Sequence, residues 1–161
     1  RAFVDQAAEA GLWFLHADAG VAVDSLAAIG RALVAGAAGG AFRFRFAGPP
    51  TATKRFLEHA IAWRCRHGVA YGDQGLFARR EDFERAGGFA EAPLFEEVPL
   101  VRALRAGGRF ALLEAQILVS PRRWEQDGYL RRTLYNRLLA LGYAAGVSPQ
   151  RLARWYRRAR T

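Results

Sequence analysis

The chain has 161 residues, of which 52% are apolar and 24% are charged, a composition typical of one globular domain with its own core. No apolar run reaches the roughly 18 residues that a membrane-spanning helix needs. A single cysteine, Cys65, excludes an internal disulfide and favours a reducing compartment, so we expect a cytoplasmic protein. The formal net charge is +9, and residues 122–161 hold ten arginines against two acidic residues.

The basic segment at the end of the chain has two interpretations. It favours anionic partners such as phosphate groups or lipid head groups, which could hold the protein peripherally at the inner membrane face. The alternative is a solvated arginine face that keeps the protein soluble. No nucleic-acid-binding motif accompanies the arginines, so we expect no nucleic-acid partner. The chain has no methionine and begins in mid-domain, from which we expect it to be part of a longer protein.

In chain order, residues 5–10 are predicted to be the end of a helix, and a strand, a helix and a second strand follow. The continuous apolar run at residues 12–15 predicts a strand buried on both faces of a parallel sheet. A helix is expected to begin at Asp24 or Ser25. Gly39-Gly40 is expected to interrupt the chain, and the alternation of Phe and Arg over residues 41–46 then predicts a half-buried strand.

The next elements are bounded by turn residues. A helix from Thr51 or Thr53 to Gly68 precedes a turn at residues 71–75. After it we expect a short strand at residues 76–78, a short helix at 81–85, a helix from 96–97 to Gly107, one or two strands over 109–119 and a loop at 120–124. Two helices close the chain, over about 128–145 and from Ser148, with Pro149 in the first turn. The alternation predicts a layered α/β domain.

His16-Ala17-Asp18 comes directly after the first predicted strand. Ligands in open α/β sheets collect beyond the carboxyl ends of strands, so Asp18 is well placed for a divalent cation. Mg²⁺ uses one or two protein carboxylates, and Mn²⁺ accepts oxygen ligands with an imidazole such as His16 as a neighbour. The alternative is an Asp18 side chain that caps the following turn.

Three other segments carry candidate site residues, each with two interpretations. Glu96-Glu97 is either an acidic helix start that favours the helix dipole or a pair of carboxylates from which a general base is drawn. The turn with Asp73 and Gln74 is either an ordinary turn or a polar binding loop.

The third segment is Ser120-Pro121-Arg122-Arg123-Trp124. It is either a surface loop with solvated arginines or a phosphate clamp, in which Arg122 and Arg123 supply charge and Trp124 an aromatic wall.

The helix from Ser148 to Arg160 carries Leu152, Trp155 and Tyr156 close together on a helical wheel, with arginines around them. That pattern fits a helix lying on an anionic membrane surface. The alternative is a helix docked on the core through the same aromatic side chains.

One series of motifs runs along the whole chain. In order it is Leu12-Trp13-Phe14-Leu15, His16-Ala17-Asp18, Gly40-Ala41-Phe42-Arg43-Phe44-Arg45-Phe46, Tyr71-Gly72-Asp73-Gln74-Gly75-Leu76-Phe77, Gly87-Gly88-Phe89, Pro93-Leu94-Phe95-Glu96-Glu97 and Ser120-Pro121-Arg122-Arg123-Trp124. This series resembles the family-2 glycosyltransferases, specifically the small bacterial branch associated with radical-SAM and selenium-domain genes.

The resemblance implies an incomplete GT-A fold, an α/β domain that binds a nucleotide-diphosphate sugar, whose first third is expected to precede this chain. It implies a catalytic part over about residues 1–125 and a helical basic part over about 126–161. The expected activity is a metal-dependent, inverting transfer of the sugar to the hydroxyl of an unknown acceptor. The alternative is a catalytically incomplete fragment that binds anions or a partner.

The resemblance also implies roles for individual residues. Asp18 takes the place of the last acid of the family's DxD motif and would contact the metal and the diphosphate, with His16 in place of the first acid. Glu96-Glu97 matches the acid pair that supplies the base, although Glu97 replaces the usual aspartate. The segment Arg122-Arg123-Trp124 is similar to the family's late Arg-Trp motif and would lie near the diphosphate and the acceptor, with Arg122 and Arg123 adding positive charge to the diphosphate.

Overall fold

The computed structural model of the chain describes residues 11–17 and 19–158, with the backbone alone at residue 158. The helix end predicted at residues 5–10 lies outside the described residues. The described strands form one sheet of five strands. They are β1 (Gly11–Trp13), β2 (Gly20–Val21), β3 (Ala37–Phe46), β4 (Phe77–Arg79) and β5 (Arg109–Val119).

Seven α-helices flank this sheet in the described part of the chain. They are α1 (Ser25–Val34), α2 (Ala52–His67), α3 (Arg80–Arg85), α4 (Glu97–Gly107), α5 (Arg122–Asp127), α6 (Tyr129–Ala144) and α7 (Pro149–Arg158), and a 3₁₀ turn covers Gly72–Gln74. The architecture confirms the predicted α/β class with flanking helices. Within residues 11–17 and 19–158, no helix is both long and apolar enough to cross a membrane.

The strand order is β1-β4-β3-β5-β2, and β3 and β5 form its parallel pair. The expectation that residues 12–15 form a doubly buried parallel strand is wrong, because β1 pairs antiparallel with β4 and is half-buried. Its apolar residues serve aromatic packing instead. Trp13 stacks on Phe42 with ring centroids 5.3 Å apart, and Phe14, beyond the strand, meets Phe89 edge-on at 4.7 Å.

Strand β3 occupies the centre of the sheet. Phe42, Phe44 and Phe46 are buried as the alternation predicted. The expected interruption at Gly39-Gly40 is wrong, since both glycines lie inside β3. They are needed for close approach: a Cβ on Gly40 would lie 2.1 Å from the Ala111 carbonyl oxygen of β5.

Two helices pack against the central strands. Ile29 and Leu33 of α1 share a core cluster with Phe42 of β3. Leu100 and Leu104 of α4 belong to a second cluster with residues of β3 and β4. The buried apolar side chains of both helices recur at helical spacing, which is why the periodicity predicted the helices correctly.

Helix α2 begins and ends where the turn signals indicated. The Thr51 hydroxyl oxygen accepts a hydrogen bond from the backbone N–H of Lys54 at 3.2 Å, and Gly68 follows the last helical residue.

After β5, a loop was expected over residues 120–124, and this expectation is wrong from residue 122 onward. The Pro121 carbonyl oxygen accepts hydrogen bonds from the backbone N–H groups of Trp124 and Glu125 at 2.8 and 2.9 Å. These bonds begin helix α5.

Helix α7 docks on the protein through the side that was expected to meet lipid. Leu152 is fully buried, and the Tyr156 ring stacks on Tyr135 of α6 at 6.3 Å. Trp155 remains 47% exposed. The lipid-facing assignment for this helix is therefore wrong for Leu152 and Tyr156, which pack against the helix before them.

A candidate active-site cavity

A cavity of about 550 Å³ is lined by residues of helices α2, α4, α5, α6 and α7 and by the segment that follows β1. Six of the predicted site residues line it: His16, Asp73, Glu96, Glu97, Arg123 and Trp124. These residues come from four separate parts of the sequence. The cavity also crosses the predicted division near residue 125, because α6 and α7 contribute part of its wall.

Glu97 is the first residue of α4, and it is 8% exposed. Its Oε1 accepts a hydrogen bond from the backbone N–H of Gly72 at 3.2 Å. Burial raises the pKa of Glu97, backbone N–H donors including Gly72 oppose this, and the nearby acids Glu96 and Asp73 raise it further. A carboxylate with a raised pKa at the wall of a cavity has the properties of a general base.

Asp73 lies in the 3₁₀ turn next to Gly72. Burial raises the pKa of Asp73, while the positive charges of Arg64 and His16 act to lower it. Its Oδ1 is shielded from solvent and has no hydrogen-bond partner among the described residues. Buried polar atoms are nearly always hydrogen-bonded, so this oxygen is an unsatisfied acceptor in a residue that lines the cavity.

The segment before the acid pair has an unusual backbone. Phe95 has φ +63°, in the left-handed region that costs a non-glycine residue energy. Its ring is held by Tyr71 at 5.8 Å and by Tyr143 of α6 at 4.9 Å between centroids. The residue that follows, Glu96, is exposed and lies at the N-cap, whereas Glu97 is turned inward.

Gln74 does not line the cavity, although it was predicted to bind substrate. It is fully buried, and its Oε1 accepts hydrogen bonds from Arg64 at 2.9 Å, from the Tyr71 N–H at 3.1 Å and from the Cys65 thiol at 3.0 Å. The same Arg64 guanidinium lies 4.4 Å over the Tyr71 ring. Gln74 therefore holds the turn that carries Asp73, and Arg64 joins that turn to α2.

Two further predicted residues are not part of the described cavity wall. Asp18 lies outside the described residues, so its expected contact with metal and diphosphate stays a prediction. Arg122 is exposed in α5, and its neighbour Arg123 lines the cavity in its place.

Helix α6 supplies cavity residues that the sequence did not indicate. Arg132, Thr133, Asn136 and Arg137 line the wall, with Tyr156 of α7. Arg132 pairs with Asp127 at 2.7 Å and donates to the Tyr156 hydroxyl at 2.7 Å. The available signal was the run of polar side chains three and four residues apart on an otherwise leucine-rich helix.

A divalent cation was expected at His16 and Asp18. Within residues 11–17 and 19–158, no three His, Cys, Asp or Glu side chains converge to hold a metal. His16 is exposed, and its Nε2 would lie 3.6 Å from a Cβ placed on Gly72. Mg²⁺ takes oxygen ligands, so the expected cation depends on Asp18 and stays a prediction.

Comparison of the chain with protein-family models, with curated proteins and with solved structures finds no match.

Proposed function

We propose that the chain is the catalytic part of a family-2, GT-A-type glycosyltransferase, which moves a sugar from a nucleotide-diphosphate sugar to an acceptor hydroxyl with inversion. The observation that carries the proposal is the convergence of distant motifs on one cavity. Its wall combines an inward-facing carboxylate of raised pKa, Glu97, with the cationic side chains Arg123 and Arg137.

Each group of residues has a distinct part in this reaction. Glu97 accepts the proton of the acceptor hydroxyl as that oxygen attacks the sugar. Arg123 and Arg137 stabilise the negative charge that develops on the leaving diphosphate, and Trp124 forms an aromatic wall beside them. Trp124 is fixed for this purpose by edge-on contact with Phe46, at 5.3 Å between centroids.

A divalent cation near His16 and Asp18 would supply further positive charge to the leaving group. The chain's own residues hold and orient the reactants around it. Asp73 lines the cavity, where its carboxylate would accept a hydrogen bond from a hydroxyl of the sugar or the acceptor, and Gln74 with Arg64 keeps the Asp73 turn in place. Rigid placement of this kind aligns the acceptor hydroxyl for in-line attack on the sugar.

A second candidate function is the binding of an anion without catalysis. It is favoured by the four arginines that line the cavity, Arg64, Arg123, Arg132 and Arg137, against three acidic residues. In that case the cavity binds a phosphate-bearing ligand, and Glu97 serves only to begin α4.

Release of nucleoside diphosphate from a panel of nucleotide-diphosphate sugars, with Mn²⁺, with Mg²⁺ and with chelator, tests the proposal. We expect metal-dependent release from at least one donor by the full-length protein, and its loss in Glu97→Gln when an acceptor is present. Binding of a nucleoside diphosphate without turnover, unchanged in Glu97→Gln, would support the anion-binding alternative.

The role of Asp18 is tested by binding rather than by turnover. Asp18→Asn keeps the shape of the side chain and removes its charge. We expect the Mn²⁺-dependent part of the affinity for a nucleoside diphosphate to fall sharply, as measured by titration calorimetry. Unchanged metal-dependent affinity would refute the assignment of Asp18.

A further inference from the structure

Helix α6 carries an exposed apolar surface on the side that faces away from the protein. It consists of Leu130, Leu134, Leu138 and Leu141, which are 81%, 63%, 56% and 66% exposed. At about 100° per residue these four side chains cover an arc of about 80°. We call this surface the leucine face.

The rest of α6 explains why the leucine face must point outward. Leu139 is buried on the opposite side of the helix, and Arg132 is tied to Asp127 and Tyr156. The helix is therefore fixed in rotation by contacts that leave the four leucines on the surface. Contiguous apolar surface of this kind on a folded protein marks an interaction site.

The borders of the leucine face are positively charged. On the helical wheel the exposed Arg131 lies within about 20° of one edge, and Arg137, which is exposed and also lines the cavity, lies within about 20° of the other. Over residues 122–157 the chain holds eight arginines against Glu125 and Asp127. Leucines bordered by arginines are the arrangement of a helix that lies in the plane of a membrane interface, with the guanidinium groups at head-group depth.

Helix α2 adds a second exposed apolar surface at the same cavity. Phe56 and Trp63 are 71% and 65% exposed, while Ala60 between them lines the cavity. Tryptophan in particular is favoured at membrane–water interfaces. Two of the helices that line the cavity thus both present large exposed apolar side chains.

We propose that the leucine face of α6 is a docking surface for an anionic lipid bilayer. Charge complementarity selects this occupant over a second copy of the chain. In a symmetric pair of leucine faces, Arg131 and Arg137 of each copy would lie along the same seam as those of the other, and like charges at an interface oppose association. The inference does not depend on the reaction proposed for the cavity.

Co-sedimentation of the full chain with vesicles tests the proposal. We expect binding to phosphatidylglycerol-containing vesicles, weaker binding as salt is raised, and little binding to phosphatidylcholine alone. The double variant Leu134→Gln/Leu138→Gln should bind at least about tenfold more weakly, because two leucines no longer enter the interface. Arg131→Gln should lower the affinity about fivefold, the effect of one charge near the surface.

A matched control removes the same number of exposed apolar side chains elsewhere. Leu26→Gln/Val34→Gln on α1, where these residues are 55% and 70% exposed, should bind vesicles as the parent chain does. Circular dichroism verifies that each variant is folded. If the double leucine variant is unfolded, vesicle binding by Arg131→Gln tests the proposal instead. The proposal is overturned by equal binding to both kinds of vesicle, or by unchanged binding in the leucine and Arg131 variants. Sedimentation equilibrium that shows a dimer dissociated by the leucine variant would overturn it in favour of self-association.

Discussion

At the scale of single residues, the burial of Glu97 has two opposite effects. It makes the carboxylate a stronger base, because burial raises the pKa of Glu97, and it makes the folded protein less stable whenever that carboxylate is ionised. Both effects come from one side chain that is 8% exposed at the wall of the cavity. They can be measured separately in the same variant.

The first measurement is of rate. Glu97→Gln keeps the shape and the acceptor for the Gly72 N–H but cannot take a proton, so kcat should fall by about 10²–10⁴-fold. The apparent donor affinity should stay near constant, because the base acts on the acceptor. Glu96→Gln is the matched control, since Glu96 is exposed, and should change kcat much less.

Two other results would revise this assignment. Loss of activity in Glu96→Gln with retention in Glu97→Gln would reverse the two roles. Retention in both variants would reduce the pair to a helix start, and Asp73→Asn would then be the next variant to measure.

The second measurement is of stability against pH. Because the pKa of Glu97 is raised in the folded state, the folded protein binds the Glu97 proton more tightly than the unfolded chain does. The protonated side chain therefore adds to the free energy of unfolding at low pH, and this contribution is lost as pH rises through the raised pKa. Glu97→Gln removes that loss. We expect it to melt at a higher temperature than the parent at pH 7, with the difference disappearing below about pH 4. An unchanged melting temperature at pH 7 would contradict a destabilising carboxylate.

At the scale of elements, strand β3 depends on glycine where two neighbours approach it. A Cβ on Gly40 would lie 2.1 Å from the Ala111 carbonyl oxygen and 2.5 Å from the Phe77 ring. Neither the backbone of β5 nor a ring inside the core can move away at low cost. Gly40 thus allows β3 to lie close to β5 and to the Phe77 ring.

Gly40→Ala should therefore destabilise the protein by about 1–3 kcal/mol, the usual cost of overpacking a core. Gly107→Ala is its control, because nothing lies within 4 Å of a Cβ placed there. Urea unfolding should show a clear loss for the first variant and no significant loss for the second. Equal urea midpoints for Gly40→Ala and Gly107→Ala would contradict this prediction and would mean that β3 can move away from β5 at low cost.

The same elements show what the sequence could predict and what it could not. Helix α2 was bounded correctly because Thr51 and Gly68 act locally on the backbone. Strand β1 was assigned to the wrong kind of pairing, since an apolar run indicates burial but not the direction of the neighbouring strand. Helix α5 was missed because Pro121 signals a break and a helix start equally well.

At the scale of the whole molecule, the candidate site shows a similar division. The order of motifs was enough to group His16, Asp73, the acid pair and Arg123-Trp124, and all of them line one cavity. The spacing of polar side chains indicates one polar face of α6, but it does not say that this face meets a cavity, because a surface arginine and a cavity arginine such as Arg137 look alike in sequence. Only the packing of α6 against the rest of the chain distinguishes them.

That packing depends on helix α7. Leu152 is fully buried, and its Cδ2 would lie 3.0 Å from a Cβ on Gly142 of α6. Leu152→Ala should cost about 2–5 kcal/mol, as for other buried leucines. Trp155→Ala on the same helix, with a side chain that is 47% exposed, should cost much less. Similar losses in thermal unfolding would contradict the docking of α7 through Leu152.

The parallel pairing of β3 with β5 also sets the order in which the protein can form during synthesis. Ala41 lies opposite Leu112, which is made 71 residues later. At about 5–20 residues per second, β3 waits several seconds on the ribosome for its partner. Strand β4 arrives sooner and pairs with Gly39 and Gly40 on one edge of β3. Until β5 emerges, the other edge of a phenylalanine-rich strand stays open to other chains, so the nascent protein is most vulnerable to aggregation in the interval between these two strands.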